Sequence, residues 1–209
     1  TNQYASNRIL GMGEEAWRVH TVGLPAIDMI NEGNYANSHE LAELYSIDLD
    51  RPIILFTQHS VTTEFQEAEK QITPSLDALK RAALEGIQII ATYPNNDAGG
   101  YKIIEKLNDL KATNIHNVQV HQSLGRYNYH GILALANSKK VKIACVGNSS
   151  SGIKETPVFG CPTVNIGSRQ NGRLRGANVL DVDYNTDKIF NSIEKCLFDE
   201  DFRKLCEKA

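Results

Sequence analysis

The sequence has no long apolar run, no paired cysteines and no excess of positive charge. No uninterrupted apolar stretch approaches the roughly 18 residues that a membrane helix needs, which excludes a helical membrane span. Residues 1–12 are polar and lack the charged-then-apolar order of a secretory leader. An initiator Met is also missing, so a segment removed or truncated upstream of Thr1 is expected. The four cysteines, Cys145, Cys161, Cys196 and Cys206, form no C-x-x-C pair and have no zinc-like spacing with histidine. Cys145 lies in the apolar run 141–146, where a free buried thiol is the plain reading. This usage points to a reducing, cytoplasmic compartment. Lysine and arginine total 22 against 25 acidic residues, a net charge of -3. That argues against a broad basic surface for nucleic acid, although a few local donors are enough to hold an anion.

What is present is ordinary globular material: 209 residues, 41% hydrophobic and 22% charged, ample for a buried core. Short β-branched runs recur at 53–56, 87–90, 118–120, 142–146 and 163–166. They are continuous rather than alternating, as in strands covered on both faces. Helical patterns separate them, at 65–85, 101–110, 127–136 and 186–198. Thr73-Pro74 falls inside the first, so a break or a fresh helix N-terminus is expected there. Asn185 or Thr186 is a plausible cap for the last. The alternation predicts an α/β fold, a Rossmann-like parallel sheet flanked by helices. The regular pattern begins only at Pro52. Upstream, residues 1–30 hold a single run ending at Gly23 and Pro25, and residues 31–50 read as a linker with one short helix, 40–45.

Ligands of such sheets bind beyond the carboxyl ends of the strands. Each strand end here is loaded with donors and acceptors: 57–64, 93–100, 121–126, 147–152 and 167–173. In Gly147–Gly152, small residues allow close backbone approach, and a helix over 153–159 would place free N–H groups and hydroxyls around an anion such as phosphate. Taken alone, the stretch is also a plain Ser-rich cap. It matches neither a nucleophile elbow nor a P-loop in spacing. Glu155, one turn on, could accept from ribose hydroxyls or simply favour the first helical turn. Arg169 and Arg173 could neutralise a diphosphate or remain solvated. His59 could donate to a developing anion, act as an acid near neutral pH, or bond to loop backbone. Asn95 and Asp97 precede a Gly-Gly pair and could equally form an Asx-turn.

Together, TQHSVTTE (57–64), YPNNDAGG (93–100), GNSSSGIKE (147–155) and GSRQNGR (167–173) resemble the UDP-N-acetylglucosamine 2-epimerase family. They most resemble its hydrolysing, sialic-acid-biosynthesis branch, and QHSVTTE favours that branch over the non-hydrolysing one. The resemblance implies the C-terminal domain of a glycosyltransferase-B-like (GT-B) fold. It implies UDP or UDP-N-acetylglucosamine as the bound partner, no cofactor, no metal, no nucleic acid or membrane partner, and a homodimer in the full-length enzyme. Ser149 and Ser150 would meet the diphosphate and Glu155 the ribose. The loop 121–126, with Ser123 and Leu124, would frame the uracil. Asn95, Asp97 and Arg169 would lie nearby, with His59 beside the glycosidic phosphate as the catalytic candidate. The acid-base carboxylates of the family belong to a first domain. Residues 1–30 resemble only the last segment of that domain with the interdomain connection, and 51–209 the UDP-binding domain. The C-terminus, 199–209, stops short of the family's closing helix. The isolated chain is therefore expected to be inactive.

Overall fold

The computed structural model describes residues 1–208. It divides into two compact units, Thr1–Asn34 and Tyr35–Ala209. The first unit holds α1 (Gln3–Gly11) and α2 (Pro25–Asn31), joined through a single 3-10 turn at Ala16–Arg18. The Asn2 side chain caps α1 by accepting from the Ala5 N–H, and Pro25 opens α2, where its missing N–H costs nothing. The sequence reading passes over α1, whose polar face gives little periodic signal.

The second unit begins with α3 (Ser38–Tyr45), started by a capping box between Asn37 and Glu40. Then β1 (Ile53–Thr57), α4 (Ala68–Leu84), β2 (Gln88–Thr92), α5 (Gly100–Ala112) and β3 (Val118–His121) follow in alternation. The second half is α6 (Gly125–Ala134), β4 (Ile143–Gly147), α7 (Ser151–Lys154), β5 (Thr163–Ile166), β6 (Val179–Val182), α8 (Thr186–Phe198) and α9 (Glu200–Cys206). The six strands are parallel, in the order β3-β2-β1-β4-β5-β6. The order reverses between β1 and β4. Loops leaving those two strands diverge to opposite sides and open a crevice at the strand ends.

Period-2 geometry sorts the strand residues. Ile54, Phe56, Ile89, Ala91, Ala144, Val146, Val164 and Ile166 join one core cluster with Ile72, Leu76 and Leu79 of α4, Leu107 of α5 and Phe190 of α8. On the other face Cys145 lies beneath Gly152 of α7. All four cysteines are free and buried. Among the described residues no helix is long and apolar enough to cross a membrane.

Three local expectations are corrected. First, α4 runs unbroken through Pro74. Pro74 leaves the Lys70 carbonyl without an N–H partner, but Lys70 is exposed and water can serve it. Packing of Ile72, Leu76 and Leu79 outweighs the loss. Second, a sixth strand, β6, was missed. It is an edge strand with one charged, exposed residue, Asp181, so it lacks the continuous apolar run of the others. Third, the helix expected over 153–159 is the four-residue α7 followed by a 3-10 turn at Thr156–Phe159. Pro157 has no N–H for the Ile153 carbonyl, so the α-helical ladder stops there, and the Thr156 hydroxyl donates to the preceding Gly152 carbonyl. Glu155 thus stands at the junction of the two turns.

Candidate nucleotide site

The crevice at the strand ends contains two neighbouring groups of side chains. The first is built on the loops after β1, β2, β4 and β5. Asn148 follows Gly147 and is almost completely buried, 1% exposed. Its side-chain Oδ1 accepts from the His59 N–H at 2.7 Å and its Nδ2 donates to the His59 carbonyl at 2.8 Å. Its own carbonyl accepts from Gln170 Nε2 at 2.7 Å and from Arg169 at 3.2 Å. One asparagine therefore joins three strand-end loops.

His59 is held from the other side as well. The Asn95 N–H donates to His59 Nδ1 at 3.0 Å, so that nitrogen is the acceptor and Nε2 carries the hydrogen. Asn95 Nδ2 donates to Asp97 Oδ2 at 2.7 Å, and the Arg169 guanidinium lies 3.5 Å from the same oxygen. Burial, reinforced by Arg169, lowers the His59 pKa from 6.5 to about 4, with Asn95 and Asp97 pulling weakly the other way. At pH 7 the ring is a neutral Nε2–H donor. This environment selects donation to an anion over the alternative of an acid titrating near neutrality.

The folded chain binds fewer protons than the unfolded one between about pH 4 and 6.5. The contribution of His59 to stability is therefore complete above pH 6.5, is lost as pH falls toward 4, and changes no further below. An Arg169→Ala substitution removes one of the lowering causes. The His59 ring titration, followed by NMR, is expected to move upward toward 6.5, and the acid-labile window to narrow. An unchanged titration would show that Arg169 does not act on His59.

The second group lines a cleft of about 340 Å³, with Ser123, Leu124, Tyr129, Ser149 and Glu155 among its walls. The Ser123 hydroxyl accepts from the Gly125 N–H at 3.1 Å and closes the β3–α6 turn, where Gly125 adopts φ +67. Ser151 donates through its hydroxyl to Ser149 Oγ at 3.0 Å, and its N–H lies 3.4 Å from the same atom. Ser150, half-buried, opens α7 as its cap residue, without a capping side-chain bond, and lies outside this cleft lining. A four-residue helix carries little macrodipole, so an anion here would depend on hydroxyls and individual N–H groups. Glu155 Oε2 lies 3.0 Å from His130 Nε2.

The structure thus brings His59, Asn95, Asp97 and Arg169 into one cluster, and Ser123, Leu124, Ser149 and Glu155 into one cleft. Arg173 is exposed and borders a separate opening beside Thr62 and Arg169. Among the described residues no group of three or more His, Cys, Asp or Glu side chains converges as metal ligands do. Sequence reasoning missed Asn148, Gln170, Tyr129 and His130. Asn148 was hidden inside a run of small residues read for its serines. Tyr129 and His130 were absorbed into a helix, although two polar aromatics beside the apolar Ile132–Leu133 pair were a signal.

The UDP-N-acetylglucosamine 2-epimerase family profile matches residues 1–208. The chain is 34% identical over 198 residues to the GDP/UDP-N,N'-diacetylbacillosamine 2-epimerase (hydrolyzing) of Campylobacter jejuni, covering 93% of this chain and 49% of that protein. It is 32% identical over 195 residues to the UDP-N-acetylglucosamine 2-epimerase of Neisseria meningitidis, covering 93% of this chain and 48% of that protein. The crystal structure of the Neisseria meningitidis UDP-GlcNAc 2-epimerase bound to UDP-GlcNAc superposes with a TM-score of 0.67 at 16% identity, over 97% of this chain and 53% of that one. The chain spans about half the length of these relatives. The fold is accordingly a Rossmann-like half of the GT-B arrangement, and the chain belongs to the UDP-N-acetylglucosamine 2-epimerase family.

Proposed function

We propose that this chain is the nucleotide-holding half of a hydrolysing UDP-N-acetylglucosamine 2-epimerase, which converts UDP-N-acetylglucosamine and water to N-acetylmannosamine and UDP. The observation that carries this reading is the convergence of Ser149, Glu155 and the Ser123–Leu124 loop on one cleft beside the His59 cluster. Ser149 and Ser150 hold the diphosphate, Glu155 accepts from the ribose, and Ser123 and Leu124 frame the uracil. His59, with Arg169, Asn95 and Asp97 around it, supports the leaving phosphate. In the reaction a base removes the C2 proton, the C1–O bond breaks, and UDP departs with the electron pair. Water then adds to the resulting 2-acetamidoglucal. Stabilising the departing diphosphate is an electrostatic task that neutral N–H and O–H donors and an arginine perform well. Proton transfer at carbon requires carboxylates, which this reading assigns to a first domain of which residues 1–30 are the tail. Four buried free thiols favour a reducing, cytoplasmic setting.

A second substrate, a UDP-diacetamido sugar of the legionaminic acid route, is favoured by the 34% identity to the GDP/UDP-N,N'-diacetylbacillosamine 2-epimerase (hydrolyzing) of Campylobacter jejuni. Turnover of both sugars by a full-length version decides between them. For the site itself, calorimetry with UDP is the test. Substituting Ser149→Ala together with Ser150→Ala should weaken UDP binding about a hundredfold or more, since each of the two hydrogen bonds to a charged oxygen contributes roughly 1.5–3 kcal/mol. Unchanged affinity would remove the phosphate assignment. UDP release from UDP-N-acetylglucosamine by the short chain alone would overturn the division of labour.

A further inference from the structure

We propose that Tyr129 and His130, adjacent residues of α6, are the positioning residues of the nucleotide site, His130 for the ribose and Tyr129 for the phosphate. This rests on the nucleotide reading given above and adds to it two side chains of the cleft wall that act on the ligand through Glu155 and Ser149.

His130 is 3% exposed. Its one polar contact is the 3.0 Å bond to Glu155 Oε2, and its Nδ1 is buried with no partner. A histidine kept for packing alone would have both nitrogens satisfied or be replaced by an apolar residue without loss. Here the single bond runs to a carboxylate in the cleft wall. The ring packs against Phe159, centroids 6.1 Å apart, and Phe159 is itself met edge-on by Tyr35. The imidazole is therefore fixed, and a fixed Nε2–H fixes the plane of the carboxylate it holds. A carboxylate acts as an acceptor only, and two vicinal hydroxyls are matched donors for it. Holding one oxygen in place removes side-chain freedom that binding would otherwise have to freeze.

Tyr129 acts one residue earlier on the same helix. Its hydroxyl lies 2.8 Å from Ser151 Oγ. Ser151 spends its own hydrogen on Ser149 Oγ, so it accepts from Tyr129. The order Tyr129 to Ser151 to Ser149 leaves the Ser149 hydrogen to be donated onward, and each bond in such a chain polarises the next. One helix thereby sets the direction of two of the polar groups assigned to the nucleotide, Ser149 and Glu155.

The experiment is calorimetry of the chain with UDP, 2′-deoxy-UDP and uridine, for the wild type and for His130→Leu, His130→Gln and Tyr129→Phe. The wild type should prefer UDP over 2′-deoxy-UDP. The His130→Leu variant should lose about tenfold in UDP affinity and most of that preference, with its UDP-over-uridine margin kept. The Tyr129→Phe variant should do the reverse, shrinking the UDP-over-uridine margin about fivefold while the ribose preference stays. Should His130→Leu fail to fold, His130→Gln decides, because its amide can still donate to Glu155 and should retain part of the ribose preference. A purely structural role would weaken all three ligands by the same factor, and that outcome overturns the proposal, as does an intact ribose preference in both His130 variants. Absence of UDP binding in the wild type would instead overturn the nucleotide reading, and this inference with it.

Discussion

Replacing Gly147 by alanine should cost the chain about 3–5 kcal/mol, a large share of the roughly 5–15 kcal/mol that holds a domain folded. Gly147 is the last residue of the central strand β4 and adopts φ +131, a region that side-chain-bearing residues rarely enter. A Cβ built there would stand 2.0 Å from the Thr57 carbonyl oxygen. That oxygen cannot retreat. Thr57 pairs with Gly147 across the sheet, and its carbonyl accepts from the Asn148 N–H at 3.1 Å. Backbone strain and steric overlap therefore add rather than substitute for each other. Thermal unfolding followed by circular dichroism should show a midpoint lower by about 10 °C or more. Gly125→Ala is the control, since φ is also positive there, at +67, but the space is open. It should lose only about 1 kcal/mol. Equal losses in the two variants would show that the close approach to Thr57 contributes nothing.

Substituting Asn148→Ala should have the next largest effect, about 2–4 kcal/mol, because it leaves both backbone groups of His59 without partners in a half-buried loop. The bonds from Gln170 and Arg169 go to the Asn148 carbonyl and survive the change. The damage is therefore local to His59. Two measurements read it together: a lower urea midpoint, and a His59 ring titration that rises from about 4 toward its ordinary 6.5 as water reaches the loop. The Asn148→Asp variant sharpens the test. An ionised carboxylate still accepts from the His59 N–H but repels the His59 carbonyl. Acidification restores a donor there, so this variant should gain stability relative to Asn148→Ala as pH falls through the carboxylate range. A Asn148→Ala chain with wild-type midpoint and wild-type His59 titration would dismiss the clamp altogether.

Much of the fold is legible in the sequence. Continuous apolar runs such as 53–56 and 142–146 announce buried parallel strands because burial on both faces leaves no polar alternation. Helix α8 was read to its exact ends, since Asn185 caps it and Ile189, Ile193 and Leu197 repeat in register. Strand β6 was illegible for the converse reason, as an edge strand needs only half a buried face. The passage of α4 through Pro74 was illegible because propensity is local while the packing that overrides it comes from α5 and α8. At the candidate site, residues that stand out by type are legible: His59, Asp97, Glu155 and Arg169. Asn148 and His130 were not, because their importance lies in partners 89 and 25 residues away along the chain.

The side chain of Asn148 is chemically a second peptide group, and it binds the N–H and C=O of His59 as a neighbouring strand would. The sheet in effect gains one more rung after its backbones have parted. Loops that begin on such a rung start out with the stiffness of a strand, so little ordering is left for a ligand to supply when it arrives.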